Sequence, residues 1–374
     1  FSGSDIDLDE LTELNKSKIK DDYDIILSQL PQLQPIVAKK HFHETGTQRI
    51  YQRFCLVLTN IKKAVEEIVR LDISPASAGA FIFLCKTKED TQKDFEDKLK
   101  ELSQIKFPKP VIIGTSKNFN EFFNYALEIA ALKRVKSTVD AIEGDAIAKK
   151  ELNGRLTAYQ NLLFNSLYLN FENADWTFNK NKVKENNLSA IASLISNEVF
   201  KLTPIIHNEL VVRDRLSGMS MNGATILLNR VFNNSHLKNL GMEGNPSEFG
   251  IYLSLIKSNN LHIKKGDEFV ISIENTKNKS IKTIYDEFLK LIKGSKEAVN
   301  VSDIYAHFVK QPYGIKIGLL PILIGIFFKA TEASCAFYNK DEQGRESLIT
   351  EFDQKTAERM YHMPETLKIM FVKI

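Results

Sequence analysis

Two arginines flank a single residue in Arg213-Asp214-Arg215, between the apolar run Leu210-Val-Val212 and Leu216-Ser-Gly218. A guanidinium is a planar fork of donors, and two of them at this spacing can hold a phosphate or a carboxylate. Arg213 and Arg215 are therefore candidates for a phosphate or an acidic partner. The plainer chemistry is a surface ion pair among Glu209, Arg213 and Asp214. Basic residues are densest at Lys277, Lys279 and Lys282, and again at Lys180, Lys182 and Lys184. Solvated loops account for both runs. A nucleic-acid footprint would need such residues on one face, with aromatics or a basic recognition helix. If a backbone is bound, Lys277, Lys279, Lys282 and Lys316 are the residues expected to neutralise its phosphates.

Other reactive side chains form no complete site. His41-Phe-His43-Glu44 is the tightest group of metal-ligand types. On a strand the two histidines would share one face, yet a tetrahedral Zn²⁺ site needs further ligands that the sequence does not offer. Solvated histidines ahead of a strand are the simpler reading, and no metal site is assigned. His207-Asn-Glu209 lacks an adjacent nucleophile motif. Cys55 and Cys85 lie in buried strand patterns, where a thiol stays protonated and inert. A phosphate loop needs freed backbone N–H groups and a lysine at fixed spacing. No G-x-x-x-x-G-K-[ST] and no G-x-G-x-x-G occurs, and Val111-Ile-Ile-Gly-Thr-Ser-Lys117 has one glycine. It reads as a plain strand-to-helix turn. No catalytic residue and no cofactor is assigned, and enzymatic activity is left open.

These groups must be held by ordinary globular structure. The chain has 374 residues, 43% hydrophobic and 26% charged, which excludes disorder, collagen and a disulfide scaffold. At about 100–200 residues per domain, two or three domains are expected. The net charge of +3 is too small to demand nucleic acid as a partner. Three cysteines, Cys55, Cys85 and Cys335, give no disulfide framework, and a reducing cytoplasm is the expected location. The chain opens Phe1-Ser2-Gly3-Ser4 without Met and without a signal-peptide pattern, as a processed chain or a piece of a longer one would. Its longest apolar run, Ile317 to Phe328, is short against the roughly 20 residues of a membrane span. A buried helix is expected there, and no membrane.

The pattern along the chain predicts an α/β unit followed by mostly α modules. Residues 1–45 read as a helical lead-in, with helical periodicity in Tyr23 to Leu33. At 46–136, Arg49–Leu58 is β-rich, and Ala80-Phe-Ile-Phe-Leu-Cys85 and Pro110-Val-Ile-Ile-Gly114 are unalternating apolar runs. Such runs fit strands buried on both faces. They alternate with helical stretches at Ile61–Leu71, Glu89–Ile105 and Phe119–Val135, so a parallel sheet is expected. Residues 137–203 read as a helical connector, with a long helix from Ala146 to Leu169 and a short aromatic strand or turn at Asp175-Trp-Thr-Phe178. Residues 204–280 and 281–374 read as helical, winged-helix-like modules, the last with helix, tight turn, helix and β-hairpin in order. Its helix after Gln311-Pro-Tyr-Gly314 carries almost no polar side chain, whereas a reading helix needs Arg, Asn or Gln aimed at base edges. Burial is expected instead.

His207-Asn-Glu-Leu-Val-Val-Arg-Asp-Arg-Leu-Ser-Gly218, Leu240-Gly-Met-Glu-Gly-Asn-Pro246 with Ile251-Tyr-Leu-Ser-Leu255, and Gln311-Pro-Tyr-Gly-Ile-Lys-Ile-Gly-Leu-Leu-Pro321 resemble segments of very large bacterial NTPases of phage-defence gene clusters. The large ATPase of the BREX phage-exclusion systems is one such protein. In that family a P-loop ATPase module lies nearer the N-terminus. The resemblance therefore implies a non-catalytic C-terminal region that couples nucleotide state to a nucleic-acid or defence-system protein partner. ATP is then expected only in a fuller chain, and an oligomer is compatible with this reading. The alternatives are a free-standing winged-helix DNA-binding regulator and an enzyme with a Rossmann-like unit.

Overall fold

The computed structural model describes residues 5–71, 73–116, 119–185 and 187–372. The chain is mixed α/β and divides into two compact units. Phe1–Val37 with Ile50–Ile195 form the first, and Ala38–Arg49 with Ser196–Ile374 form the second.

The first unit begins with α1 (Leu8–Ile19), α2 (Tyr23–Leu27) and β1 (Ile36–Val37). After α3 (Lys39–Thr45) of the second unit come β2 (Ile50–Leu58), α4 (Ile61–Arg70), β3 (Gly79–Lys86), α5 (Gln92–Leu102) and β4 (Val111–Thr115). Next are α6 (Phe119–Thr138), α7 (Ala141–Gly144), α8 (Ala146–Glu172), β5 (Asp175–Phe178), β6 (Asn181–Lys182) and α9 (Leu188–Val199), which from Ser196 on belongs to the second unit. The six strands form one sheet in sequential order. β2, β3 and β4 pair in parallel, as the apolar runs predict.

β3 shows why those runs do not alternate. Ala80, Ile82 and Leu84 pack on one face with Ala64 and Ile68 of α4 and Phe95 and Leu102 of α5. Phe81 meets Trp176 at 5.1 Å between ring centroids. Phe83 meets Phe122 of α6 and Phe171 of α8 at 5.7 and 5.5 Å. Both faces are dry, so neither selects polar residues. Each fully buried Leu, Ile or Phe here contributes about 1.5–3 kcal/mol.

The sheet differs from expectation in being mixed. β1, β5 and β6 join it antiparallel: β5 is the expected short aromatic strand, while β1 and β6 come from stretches that read as helical lead-in and connector. Trp176 supplies the reason for β5. Its ring lies over Gly114 so closely that a Cβ there would come within 2.3 Å of it. The α2 helix also stops at Leu27, well short of Leu33.

The second unit adds α10 (Gly218–Asn233) and α11 (Phe249–Ile251), which runs on into a π-helical turn at Tyr252–Lys257. A hairpin of β7 (His262–Lys265) and β8 (Glu268–Ile271) leads to α12 (Lys279–Gly294). The rest is β9 (Val299–Asn300), α13 (Val301–Val309), α14 (Leu320–Thr331), β10 (Cys335–Lys340), β11 (Glu346–Leu348), α15 (Gln354–His362) and β12 (Leu367–Phe371). The last four strands form an antiparallel sheet in the order β11-β10-β12-β9. The expected burial after Gly314 is observed. Leu319, Leu320, Ile322, Leu323, Ile326 and Phe327 are each at most 1% exposed. α14 is apolar around its circumference because the unit's core surrounds it.

Candidate functional site

Two enclosed cations of the second unit, Arg49 and Lys316, lie at the segment Gln311–Lys316. Arg49 is 5% exposed. Its Nη2 donates to the Gly314 carbonyl at 2.6 Å and to Thr203 Oγ1 at 3.0 Å. Its guanidinium carbon lies 4.0 Å from the Phe200 ring centroid, a cation–π stack. Thr203 Oγ1 donates onward to the Tyr313 carbonyl at 2.7 Å, and the Leu202 N–H donates to Pro312 O. The Gln311–Pro312 bond is cis and Gly314 has φ +56°. A Cβ at Gly314 would sit 2.5 Å from Phe200 and 2.6 Å from the guanidinium, so only glycine fits both the backbone and the space.

Lys316 follows this clamp. Its side chain is 11% exposed, and its Nζ lies 2.5 Å from Asp214 Oδ2. Burial pulls its ammonium below the ordinary lysine value, Asp214 opposes that, and the Arg49 charge adds to it. The sequence expectation gave Lys316 to a nucleic-acid backbone. Its charge is instead spent inside the unit, tying the 310–319 segment to the arginine loop. The Gly318 N–H donates to the Arg213 carbonyl at 2.9 Å, a second tie between the same two segments.

Arg213 and Arg215 are exposed. The ion pair imagined among Glu209, Arg213 and Asp214 is not formed, because Asp214 is committed to Lys316. Among the described residues, neither arginine side chain has an ion pair or hydrogen bond. Two free guanidinium groups thus flank a neutralised carboxylate.

Lys277, Lys279 and Lys282 are likewise exposed and, among the described residues, unpaired. They crowd the start of α12, whose first turn has no acidic residue. A helix start carries partial positive charge and ordinarily attracts carboxylates. Asn278 caps the helix, accepting from Ser280 N and Ile281 N, and its amide also donates to Ile205 O and Asn259 Oδ1. That last bond brings the π-helical turn alongside, with exposed Lys257 two residues before Asn259. Lys257 was not singled out from the sequence, since its distance along the chain hides it. Arg49 was missed too, being one cation in a β-rich stretch. The structure joins Lys316 to the Arg213–Arg215 loop and sets Lys277, Lys279 and Lys282 at a different place, the α12 start.

The remaining candidates resolve into structure. His41 and His43 lie on α3, not on a strand, so a two-residue spacing sends them to different faces. Gly46, in left-handed backbone, ends that helix. His41 is buried, with Nδ1 2.6 Å from Asn197 Oδ1, and burial lowers its pKa. His43 is exposed. Among the described residues no group of three His, Cys, Asp or Glu can hold a metal. Cys55 and Cys85 face each other at 3.6 Å, and burial pushes the Cys85 thiol well up, away from a thiolate nucleophile. Gly114 serves Trp176 packing, and Lys117 of the same stretch lies outside the described residues. Successive crossovers β2-β3-β4 step one way across the sheet, with α4 and α5 on one face. These three strands therefore lack the reversal in strand order at which open α/β sheets form a ligand crevice. Lys182 pairs with Asp175 at 2.6 Å. No described helix is long and apolar enough to cross a membrane. No family model, curated protein or solved structure matches this chain.

Proposed function

We propose that this chain is a non-catalytic interaction region of a larger bacterial defence-type NTPase, and that its second unit grips a nucleic-acid backbone. The observation that carries the backbone contact is the α12 start. Three exposed lysines, without carboxylate partners among the described residues, crowd the positive end of a helix. Their mutual repulsion is relieved when phosphate oxygens approach, and counterion release adds to the affinity.

The order of elements from α12 to β10 supports a winged-helix reading of this region. Helix, strand, helix, helix and strand follow one another, and β12 lies between β10 and β9 in the sheet. In that reading α14 takes the slot of the reading helix. From Leu320 to Phe328 its surface is apolar and buried and offers no donor to base edges. Contact is then to phosphates alone, without sequence preference. Nucleotide chemistry belongs to another part of the longer protein, since this sequence has no P-loop motif. The resemblance to the large phage-defence ATPases supports the same assignment.

The test is binding of two unrelated duplexes by fluorescence anisotropy at several salt concentrations. Equal affinity for both, falling steeply with salt, is expected. Replacing Lys279 or Lys282 by Ala should weaken both duplexes equally and reduce the salt slope by about 1 each. Lys316→Ala should leave the slope unchanged, because Asp214 holds that charge. Strong discrimination between duplexes, or no binding at low salt, refutes backbone contact.

A further inference from the structure

The arginine loop differs in chemistry from the lysine-rich α12 start. The two segments joined at Arg213 also carry exposed apolar side chains: Leu210 is 44%, Met219 79% and Ile317 49% exposed. All three belong to the two segments that the bond from Gly318 N to Arg213 O ties together. Ile317 precedes Gly318, Leu210 leads into the loop, and Met219 opens α10 just after it. The loop is also firmly held. Asn208 Oδ1 accepts from Leu210 N and Val211 N, Ser217 caps α10, and Lys316 anchors Asp214. Glu209 is exposed and, among the described residues, pairs with neither arginine.

A sugar–phosphate backbone would satisfy the arginines but leave this apolar surface in water. A peptide with carboxylates beside apolar side chains satisfies both. Arg and Met are also among the types enriched in protein–protein interfaces. We infer that the Arg213–Arg215 loop, with Leu210, Met219 and Ile317, docks an acidic, apolar segment of a partner protein. Charge complementarity selects that occupant. Asp214 is already neutralised by Lys316, so it does not repel an incoming carboxylate as a free aspartate would. The two guanidinium forks set the direction of the segment, and the apolar residues bury its side chains.

The test uses the full chain and a displayed library of random peptides. Enriched sequences are synthesised with a fluorescent label and titrated against the wild type and three variants. Enriched peptides should carry Asp or Glu beside Leu, Ile, Phe or Met. The double variant Arg213→Glu/Arg215→Glu should bind them at least about tenfold more weakly, as expected for arginine anchors. Leu210→Ser/Met219→Ser should also weaken them, while Lys279→Ala/Lys282→Ala should not. All six substituted side chains are exposed, and a thermal melt of each variant checks that the fold is kept. Failure to enrich any peptide overturns the inference. So does enrichment without acidic residues, or binding that survives charge reversal. If Arg213→Glu/Arg215→Glu instead weakens a DNA duplex as much as the lysine variant does, the loop belongs to the nucleic-acid surface. That outcome refutes the peptide site and leaves the backbone reading standing.

Discussion

Arg49 and Lys316 lie within the second unit at 5% and 11% exposure, whereas Arg213, Arg215, Lys277, Lys279 and Lys282 stand in solvent. The buried pair have fixed partners: Gly314 O, Thr203 Oγ1 and the Phe200 ring for one, Asp214 for the other. The exposed set have none among the described residues. A buried cation must be hydrogen-bonded or paired, or the unit loses stability. An exposed one is solvated and stays available for a partner. The same residue types thus serve two ends, and burial decides which. α14 marks the apolar extreme of the interior, with every residue from Leu320 to Phe328 buried.

The sharpest test of that interior is Leu323→Ala. It should cost about 2–5 kcal/mol through lost burial and a residual cavity. A denaturant titration measures it, and a loss near zero would place α14 outside the core.

Arg49→Met should come next. The Gly314 carbonyl would lose a charge-assisted hydrogen bond inside the unit, at about 1.5–3 kcal/mol. Lys316→Met should change stability by less, on the order of 1 kcal/mol in either direction. It removes a desolvated charge and leaves Asp214, 46% exposed, largely to water. If Lys316→Met proves the costlier of the two, the ranking of the buried cations is reversed.

Acid should produce a smaller loss. Burial lowers the pKa of His41 and of His262. His262 Nε2 must donate to the Ser235 carbonyl, so Nδ1 accepts from the Tyr252 hydroxyl. Below pH 6.5 the unfolded chain takes up protons before these folded histidines do. Stability therefore rises with pH up to 6.5 from the lowered folded values, and falls as pH drops through that window. Denaturant midpoints at pH 7.5, 6.5 and 5.5 should show this, and His262→Gln should flatten the slope. An unchanged slope in that variant would remove His262 from the account.

The exposed cations should matter least to stability. Lys279→Ala, Lys282→Ala and the Arg213→Glu/Arg215→Glu double variant should each stay within about 0.5 kcal/mol of wild type. Removing lysines from the positive end of α12 should, if anything, raise stability slightly. A thermal melt decides it. A large loss would show that these side chains have structural partners and would collapse the contrast with Arg49 and Lys316.

Much of the fold is legible in the residue pattern. Ala80–Cys85 and Val111–Gly114 read as doubly buried strands, and Leu319–Phe327 as an enclosed helix, because burial on all sides leaves an apolar signature in any short window. The charged starts of helices are equally local: Thr91 with Asp94 forms a capping box on α5. The lysines of the α12 start could be named for the same reason, since they lie within six residues of one another. Partners across the chain leave no such signature. Nothing near His41 announces that it will be buried against Asn197, and nothing near Trp176 announces that it will cover Gly114. Arg49 meets Gly314 across 265 positions and Lys316 meets Asp214 across 102. Sequence therefore determined the strands and the helix that are dry on every side, such as β3, β4 and α14, whereas the short edge strands β1 and β6 took shape only in the sheet. Tertiary structure alone decided which charges are spent within the fold and which remain in solvent, because a charge's partner is fixed by where distant segments come to rest.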